Sequence, residues 1–282
     1  MPPSGHPTLL GPAQIRDLAA ELGVIPTKKL GQNFVHDPNT VRRIVQTAGV
    51  VAGDTVLEVG PGLGSLTLGL LEVGAHVVAV EIDRRLAERL PQTVSERQPG
   101  ASLTVMVCDA LRVTDVPHAP TRLVANLPYN VSVPVLLHLL EHIGSLRSGI
   151  VMVQAEVGMR LAAPAGSRVY GAPSVKAAWY GQWRLVGQVS RQVFWPVPNV
   201  DSVLVGFERC QPPGSEVERV ATFELVDAAF GQRRKMLRQS LAGVFGGSSV
   251  AASAVLCSVG LDPTLRGEQL TVGDFLRVAR VR

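Results

Sequence analysis

Cysteine is scarce in this chain. Cys108, Cys210 and Cys257 are odd in number and widely scattered. They offer neither a disulfide framework nor metal spacing, which fits a reduced, cytoplasmic compartment. No apolar run approaches the roughly 20 unbroken residues of a membrane span, so no membrane partner is expected. The opening MPPSGHPTLLGPAQ lacks a basic start and an apolar stretch, and does not read as a secretory signal. Acidic residues are missing from 157–200, a segment that still carries Arg160, Arg168, Lys176, Arg184 and Arg191. Lysine occurs only at positions 28, 29, 176 and 235. The HLLEH stretch puts His138 and His142 on one helical face, but no third ligand accompanies them and no metal is expected.

What is present is a chain of 282 residues, 46% hydrophobic, long enough for one large core and a smaller second one. Lys and Arg number 27 against 23 acids, a mild excess with a pI near 9.2. A cluster in RRKMLR supplies Arg233, Arg234, Lys235 and Arg238, so a polyanionic partner is plausible beside a merely solvated surface.

Residues 1–11 read as a loose tail and 12–22 as a short helix. Asp37 caps a further helix with Pro38 at its first position. Strands are then expected at 55–59, 76–82, 103–107, 122–126 and 148–154, alternating with apolar helices. That alternation indicates a mostly parallel sheet covered on both faces. Segments 181–190 and 201–209, joined too closely for a crossover, read as an antiparallel hairpin at its edge. CQPPGSE is a linker, and the text beyond it is helical, with 223–245 expected as one helix. The expected organisation is an N-terminal extension (1–27), an α/β Rossmann-like domain with a seven-stranded sheet (28–210) and a small all-α domain (211–282).

The strand tips carry the chemistry. Gly60, Gly62 and Gly64 join the first strand to its helix, where they permit positive φ and close approach of a ligand. Their spacing is G-x-G-x-G, without the pyrophosphate cradle of a dinucleotide fold. Glu81 ends the second strand, placed to accept ribose hydroxyls. Asp109 ends the third, placed to accept from an adenine amine. An adenosine cofactor follows. A hydride enzyme would want a lysine four residues after Tyr129, but Val133 stands there, so a methyl donor is favoured.

The fourth strand runs into VANLPYN. An adenine amine is a poor nucleophile because its lone pair is delocalised into the ring. Two acceptors on its N–H bonds favour the pyramidal geometry that attack needs. The side chain of Asn126 and the carbonyl of Leu127 are suited to this, with Pro128 stiffening the turn and Tyr129 stacking on the base. FWPVPNVDS, with Phe194 and Trp195 ahead of Pro196 and Pro198, could form the other wall.

These segments together resemble the bacterial ribosomal RNA adenine N6,N6-dimethyltransferases of the small subunit. The likeness is carried by KKLGQNF, LEVGPGLGSLT, VEID, CDAL, VANLPYN, FWPVPNVDS, AFGQRRKMLRQSL and GLDPTLRGEQL. The resemblance implies S-adenosyl-L-methionine as cofactor and two adjacent adenines near the 3′ end of small-subunit ribosomal RNA as substrate, within an immature 30S particle. It implies cofactor contacts at Gln32, Asn33, Val35, Gly60, Gly62, Glu81, Ile82, Asp109, Ala110 and Asn126. It places the catalytic turn at Asn126–Tyr129 and a base-stacking ring at Phe194. RNA contacts are implied at Lys28, Lys29, Arg233, Arg234, Lys235 and Arg238. Nothing in the sequence demands a dimer, so a monomer is expected. Pro173, Trp179, Gln239 and Gly267 depart from the family pattern, away from the cofactor and the catalytic turn. Two alternatives stay open: an assembly factor that binds RNA without catalysis, and a related methyltransferase acting on large-subunit RNA or DNA.

Overall fold

The computed structural model describes residues 8–24 and 32–282. Lys28 and Lys29 lie outside the described residues. The chain divides into two compact units. One runs to Gly158 and resumes at Arg184–Glu208; the other comprises Met159–Trp183 and Arg209–Arg282. The helical unit is therefore discontinuous in sequence, and residues 159–183 cluster with it rather than with the sheet.

In the first unit, Thr8 to Leu10 are not a loose tail. Leu9 and Leu10 are buried in the core, and the Thr8 hydroxyl donates to Glu72 at 2.6 Å. Helix α1 (Pro12–Glu21) buries Ile15, Leu18 and Ala19. A two-residue strand β1 (Phe34–Val35) leads to α2 (Pro38–Thr47), whose first turn is capped by Asp37 accepting from the Thr40 N–H at 2.8 Å. Strand β2 (Thr55–Val59) passes through the glycine turn into α3 (Ser65–Glu72), and β3 (His76–Glu81) into α4 (Arg84–Arg97). β4 (Leu103–Val107) is followed by a single 3-10 turn at Ala110–Arg112. β5 (Arg122–Asn126), α5 (Ser132–His142) and β6 (Ser148–Gln154) complete the parallel part, and β6 runs into α6 (Ala155–Leu161).

After α7 (Ala172–Tyr180) come β7 (Gly181–Val189), β8 (Phe194–Trp195) and β9 (Ser202–Arg209). The large sheet has the order β4-β3-β2-β5-β6-β9-β7. The pairs from β4 through β6 are parallel, and β9 joins β6 antiparallel. Strands such as β3, with every residue from Val77 to Glu81 buried, read as near-continuous apolar runs because helices cover both faces. The FW pair, expected as connector, is a strand. β8 pairs antiparallel with β1, setting Val35 opposite Phe194.

The second unit holds α8 (Glu216–Gly231), α9 (Leu237–Ser240), α10 (Ser249–Ser258) and α11 (Val272–Arg280). Its own core contains Leu225, Val226, Leu237, Leu256 and Phe275. The single helix expected across 223–245 is broken at 232–236. There the Leu237 and Arg238 N–H groups bond the Leu265 and Pro263 carbonyls, at 2.7 and 3.1 Å, instead of the preceding turn.

The packing of β5, β6 and β9 leaves no room beside Gly149. A Cβ there would stand 2.2 Å from the Leu123 carbonyl oxygen and 2.6 Å from the Phe207 ring. Because one neighbour is backbone, Gly149→Ala should lower unfolding free energy by at least about 1–3 kcal/mol. Urea denaturation of the two proteins checks this, and an unchanged midpoint would contradict the stated packing.

Candidate active site

The strand order reverses between β2 and β5. β2 connects onward to β3 and β4 on one side, while β5 and β6 lie on the other. In open α/β sheets ligands bind beyond the carboxyl ends of the strands at such a reversal. Here that position holds a cavity of about 290 Å³, lined by residues of the first unit. Gln32, Asn33, Val35, Gly60, Gly62, Glu81, Ile82, Asp109, Ala110 and Asn126 all line it. These are the ten positions expected for cofactor contact.

Gly60 sits at φ +69°, a left-handed conformation that disfavours a side chain, and the space beside it is open. An added Cβ would meet nothing closer than 3.9 Å, at the Asn126 carbonyl oxygen and Pro128. Gly62, at φ +59°, has the opposite constraint: a Cβ there would clash with the Phe34 ring at 2.8 Å. Glu81 is 5% exposed. Its two oxygens accept from the Gly62 N–H at 3.1 Å and the Asp83 N–H at 2.9 Å. Burial raises its pKa, and the N–H groups of Asp83, Gly62 and Ile82 oppose that. Asp109 accepts from the Leu111 N–H at 2.9 Å, so it caps the 3-10 turn while facing the cavity.

Asn126 is held from the other side of the cavity. Its Nδ2 donates to the Asn33 backbone carbonyl at 3.0 Å. A carbonyl only accepts, so the nitrogen must face Asn33 and the Oδ1 of Asn126 is left as an acceptor. The next residue is tied down as well: the Leu127 N–H donates to the Met152 carbonyl at 3.1 Å, and its side chain is buried. Among the described residues no backbone N–H bonds the Leu127 carbonyl. Pro128 lines the cavity.

Other expected site residues lie elsewhere. Tyr129 does not line the cavity; its hydroxyl pairs with Ser202 Oγ at 2.7 Å, which fixes the half-buried ring against the start of β9. Phe194 is 0% exposed and belongs to the core cluster, so it packs behind the β1–β8 ribbon rather than presenting a face. In the second unit, Arg233 is committed to Glu268 at 2.8 Å and to the Arg168 carbonyl at 2.7 Å. Arg234 and Lys235 are exposed in the turn after α8, and Arg238 is half-buried on α9. His138 bonds the Val113 carbonyl at 2.9 Å, and no group of three or more metal-type ligands occurs among the described residues.

Glu58 and Ser65 are among the cavity residues that escaped the sequence analysis. Glu58 is 1% exposed and accepts from Thr67 Oγ1 at 2.6 Å. The signal for it was a charge inside the apolar strand TVLEV. Ser65, at the first position of α3, is 7% exposed and its hydroxyl has no hydrogen-bond partner. No local pattern marks it.

These features fit S-adenosylmethionine. The backbone at Gly60 is approachable, Glu81 is a buried acceptor for vicinal hydroxyls, and Ser65 is an orphaned buried hydroxyl awaiting a polar group.

Burial pushes the Glu58 carboxyl up to about 8; the Thr67 hydroxyl and N–H oppose the shift, and the nearby Glu81 adds to it. Unfolded, the group ionises near 4.5. Between those values the folded state binds more protons, so this group's contribution to stability falls as pH rises. Glu58→Gln keeps an acceptor for Thr67 and removes the ionisation. The free variant should therefore melt above the parent, with a larger gain at pH 8 than at pH 5. Equal gains at both pH values, or none, would refute this account of Glu58.

The model of the ribosomal RNA adenine dimethylase family matches residues 26–281. The chain is 70% identical to the ribosomal RNA small subunit methyltransferase A of Leifsonia xyli subsp. xyli, over 96% of this chain and 98% of that protein. Its fold is similar to that of a dimethyladenosine transferase from Plasmodium falciparum. That match has a TM-score of 0.71 at 23% identity and covers 87% of this chain and 95% of the other. It is also similar to the 23S rRNA methyltransferase ErmE, with a TM-score of 0.64 at 25% identity, over 88% and 98% of the two chains. The chain belongs to the ribosomal RNA adenine dimethylase family and is an S-adenosylmethionine-dependent methyltransferase of ribosomal RNA adenine.

Proposed function

We propose that this enzyme dimethylates the N6 of two adjacent adenines near the 3′ end of small-subunit ribosomal RNA, in an immature 30S particle in the cytoplasm. The observation that carries the reaction is the Asn126 carboxamide, oriented by Asn33 at 3.0 Å with its oxygen left as acceptor. The choice of subunit rests on the 70% identical relative named for the small subunit. The likeness to ErmE, at 25% identity, weighs less toward the large subunit.

S-adenosylmethionine, when bound, supplies an electrophilic methyl on a sulfonium. Glu81 accepts the ribose hydroxyls, its geometry preset by the Gly62 and Asp83 N–H groups. Asp109 takes the adenine amine of the cofactor, and Ile82, 58% exposed, offers an apolar face to that ring. Gln32, Asn33 and Val35 close over the cofactor from the β1 side.

The substrate amine is met by two acceptors, Asn126 Oδ1 and the Leu127 carbonyl. Accepting both N–H bonds draws the lone pair out of conjugation and aims it across the cavity. Once methylated, the nitrogen sheds its proton readily, so no base of matched pKa is required. Tyr129 backs the flipped base, held by Ser202. Phe194 supports Val35 through the ribbon. RNA phosphates are met by Arg234, Lys235 and Arg238, while Arg233 holds the turn together through Glu268. A metal-free monomer is the proposed working unit: transfer of a sulfonium methyl needs no Lewis acid, and nothing in the sequence demands a dimer.

Labelled S-adenosylmethionine with immature small subunits lacking the modification should yield N6,N6-dimethyladenosine at two neighbouring positions. Label confined to large-subunit RNA or DNA would overturn the substrate assignment; tight particle binding without label would make the protein a non-catalytic assembly factor. Asn126→Ala should lower kcat by about 10²–10³-fold while cofactor binding persists. Asn126→Asp should be as poor, because a carboxylate cannot donate to the Asn33 carbonyl; near-normal turnover by it would discard the orienting bond. Exchanging Arg234 and Lys235 for alanine should weaken RNA binding and flatten its salt dependence. Arg233→Ala should chiefly lower the melting temperature, and filter binding across salt concentrations separates the two.

A further inference from the structure

Among the described residues, Ser65 is the one cavity residue with a buried side-chain polar atom that lacks a hydrogen-bond partner, and its neighbours say what would satisfy it. It opens α3, an eight-residue helix whose N-cap is Gly64 at φ +94°. Glycine has no side chain, so the first turn is left without a cap. Of the first N–H groups, that of Thr67 is taken by the Glu58 carboxyl. Those of Ser65 and Leu66 have no capping side chain and carry the positive end of the helix dipole. The Ser65 hydroxyl stands beside them, 7% exposed and unpartnered, in a residue that lines the cavity. Two N–H donors and a hydroxyl in one uncapped turn suit an anion.

The cofactor brings one anion. With the ribose at Glu81, the adenine at Asp109 and the methyl facing Asn126, its amino-acid tail is directed to the tip of β2 and the start of α3. That tail carries a carboxylate and an amine. We infer that Ser65 donates to the carboxylate of the methionine tail, with the first-turn N–H groups of α3 as co-donors. This rests on the cofactor placement proposed above. Glu58, lying at the same helix end, is held in its neutral form through neutral pH by burial and so does not repel the anion. Ser65 is then a binding residue that leaves the free protein with an unmet hydroxyl, satisfied only on loading.

The test uses the full chain, Ser65→Ala and three adenosine ligands. Calorimetric titration of S-adenosylmethionine should show affinity lowered about tenfold or more in the variant, the scale of a hydrogen bond to a charged group. Decarboxylated S-adenosylmethionine, which keeps the amine, should bind parent and variant alike. So should 5′-methylthioadenosine, which lacks the whole tail. The free variant should melt above the free parent, because a buried hydroxyl without a partner is gone. Unchanged affinity for S-adenosylmethionine would overturn the inference. Equal losses for all three ligands would place the effect on the adenosine end or on pocket shape, and overturn it too. A loss shared only with the decarboxylated compound would move the contact to the amine. If the parent itself fails to bind S-adenosylmethionine, the underlying cofactor placement falls instead.

Discussion

The parallel pairing of β2 with β5 brings Gly60 and the Asn126 turn within van der Waals reach of each other, and the rest of the site is arranged around that proximity. In the proposed placement the cofactor lies on the β2, β3 and β4 tips, and the Asn126 carboxamide that would meet the substrate amine ends β5. They meet only because the strand order turns back between β2 and β5. Gly60 takes a left-handed φ of +69° at this junction, a conformation that disfavours a side chain. Asn33, arriving from the other side, holds the Asn126 amide nitrogen, so the carboxamide oxygen is left as an acceptor. In the proposed reaction, positioning and preset dipoles would take the place of a general base.

The two buried carboxyls of the cavity show how environment assigns different tasks to the same group. Glu81 receives N–H donation at both oxygens and keeps acceptor capacity for hydroxyls. Glu58, on the adjacent strand, has chiefly Thr67 and is pushed toward its neutral form by burial. A negative charge on Glu58 would oppose the anion proposed at the start of α3. In the proposed placement, a neutral Glu58 and a hydrogen-bonded Glu81 would let a zwitterionic, sulfonium-bearing ligand be met group by group.

Three of the departures from the family pattern have structural explanations. Gly267 faces Ala229, whose Cβ would stand 3.0 Å from a Cβ at 267, so alanine would be tight there. Trp179 is buried with its ring edge-on to Phe223 at 6.0 Å. Pro173 falls in the first turn of α7, where a missing N–H costs little. Nothing in the structure explains Gln239.

Much of the fold was legible from the sequence. The strands at 55–59, 103–107, 122–126 and 148–154 have the bounds expected from their apolar runs. The glycine turn, Glu81, Asp109 and VANLPYN declared themselves because each breaks a local pattern at a strand end. Leu9 and Leu10, the β1–β8 ribbon, the break after α8 and the burial of Phe194 did not, since each depends on partners distant in sequence. Ser65 looks like any helix-opening serine until the cavity beside it is seen. The sequence by itself determined which segments become strands and helices and which residues stand at their tips, because periodicity and turn chemistry act over a few residues. Only the tertiary structure decided that β2 neighbours β5 and that Asn126 bonds Asn33, 93 residues away, because those contacts follow from strand order and packing, which no local pattern encodes.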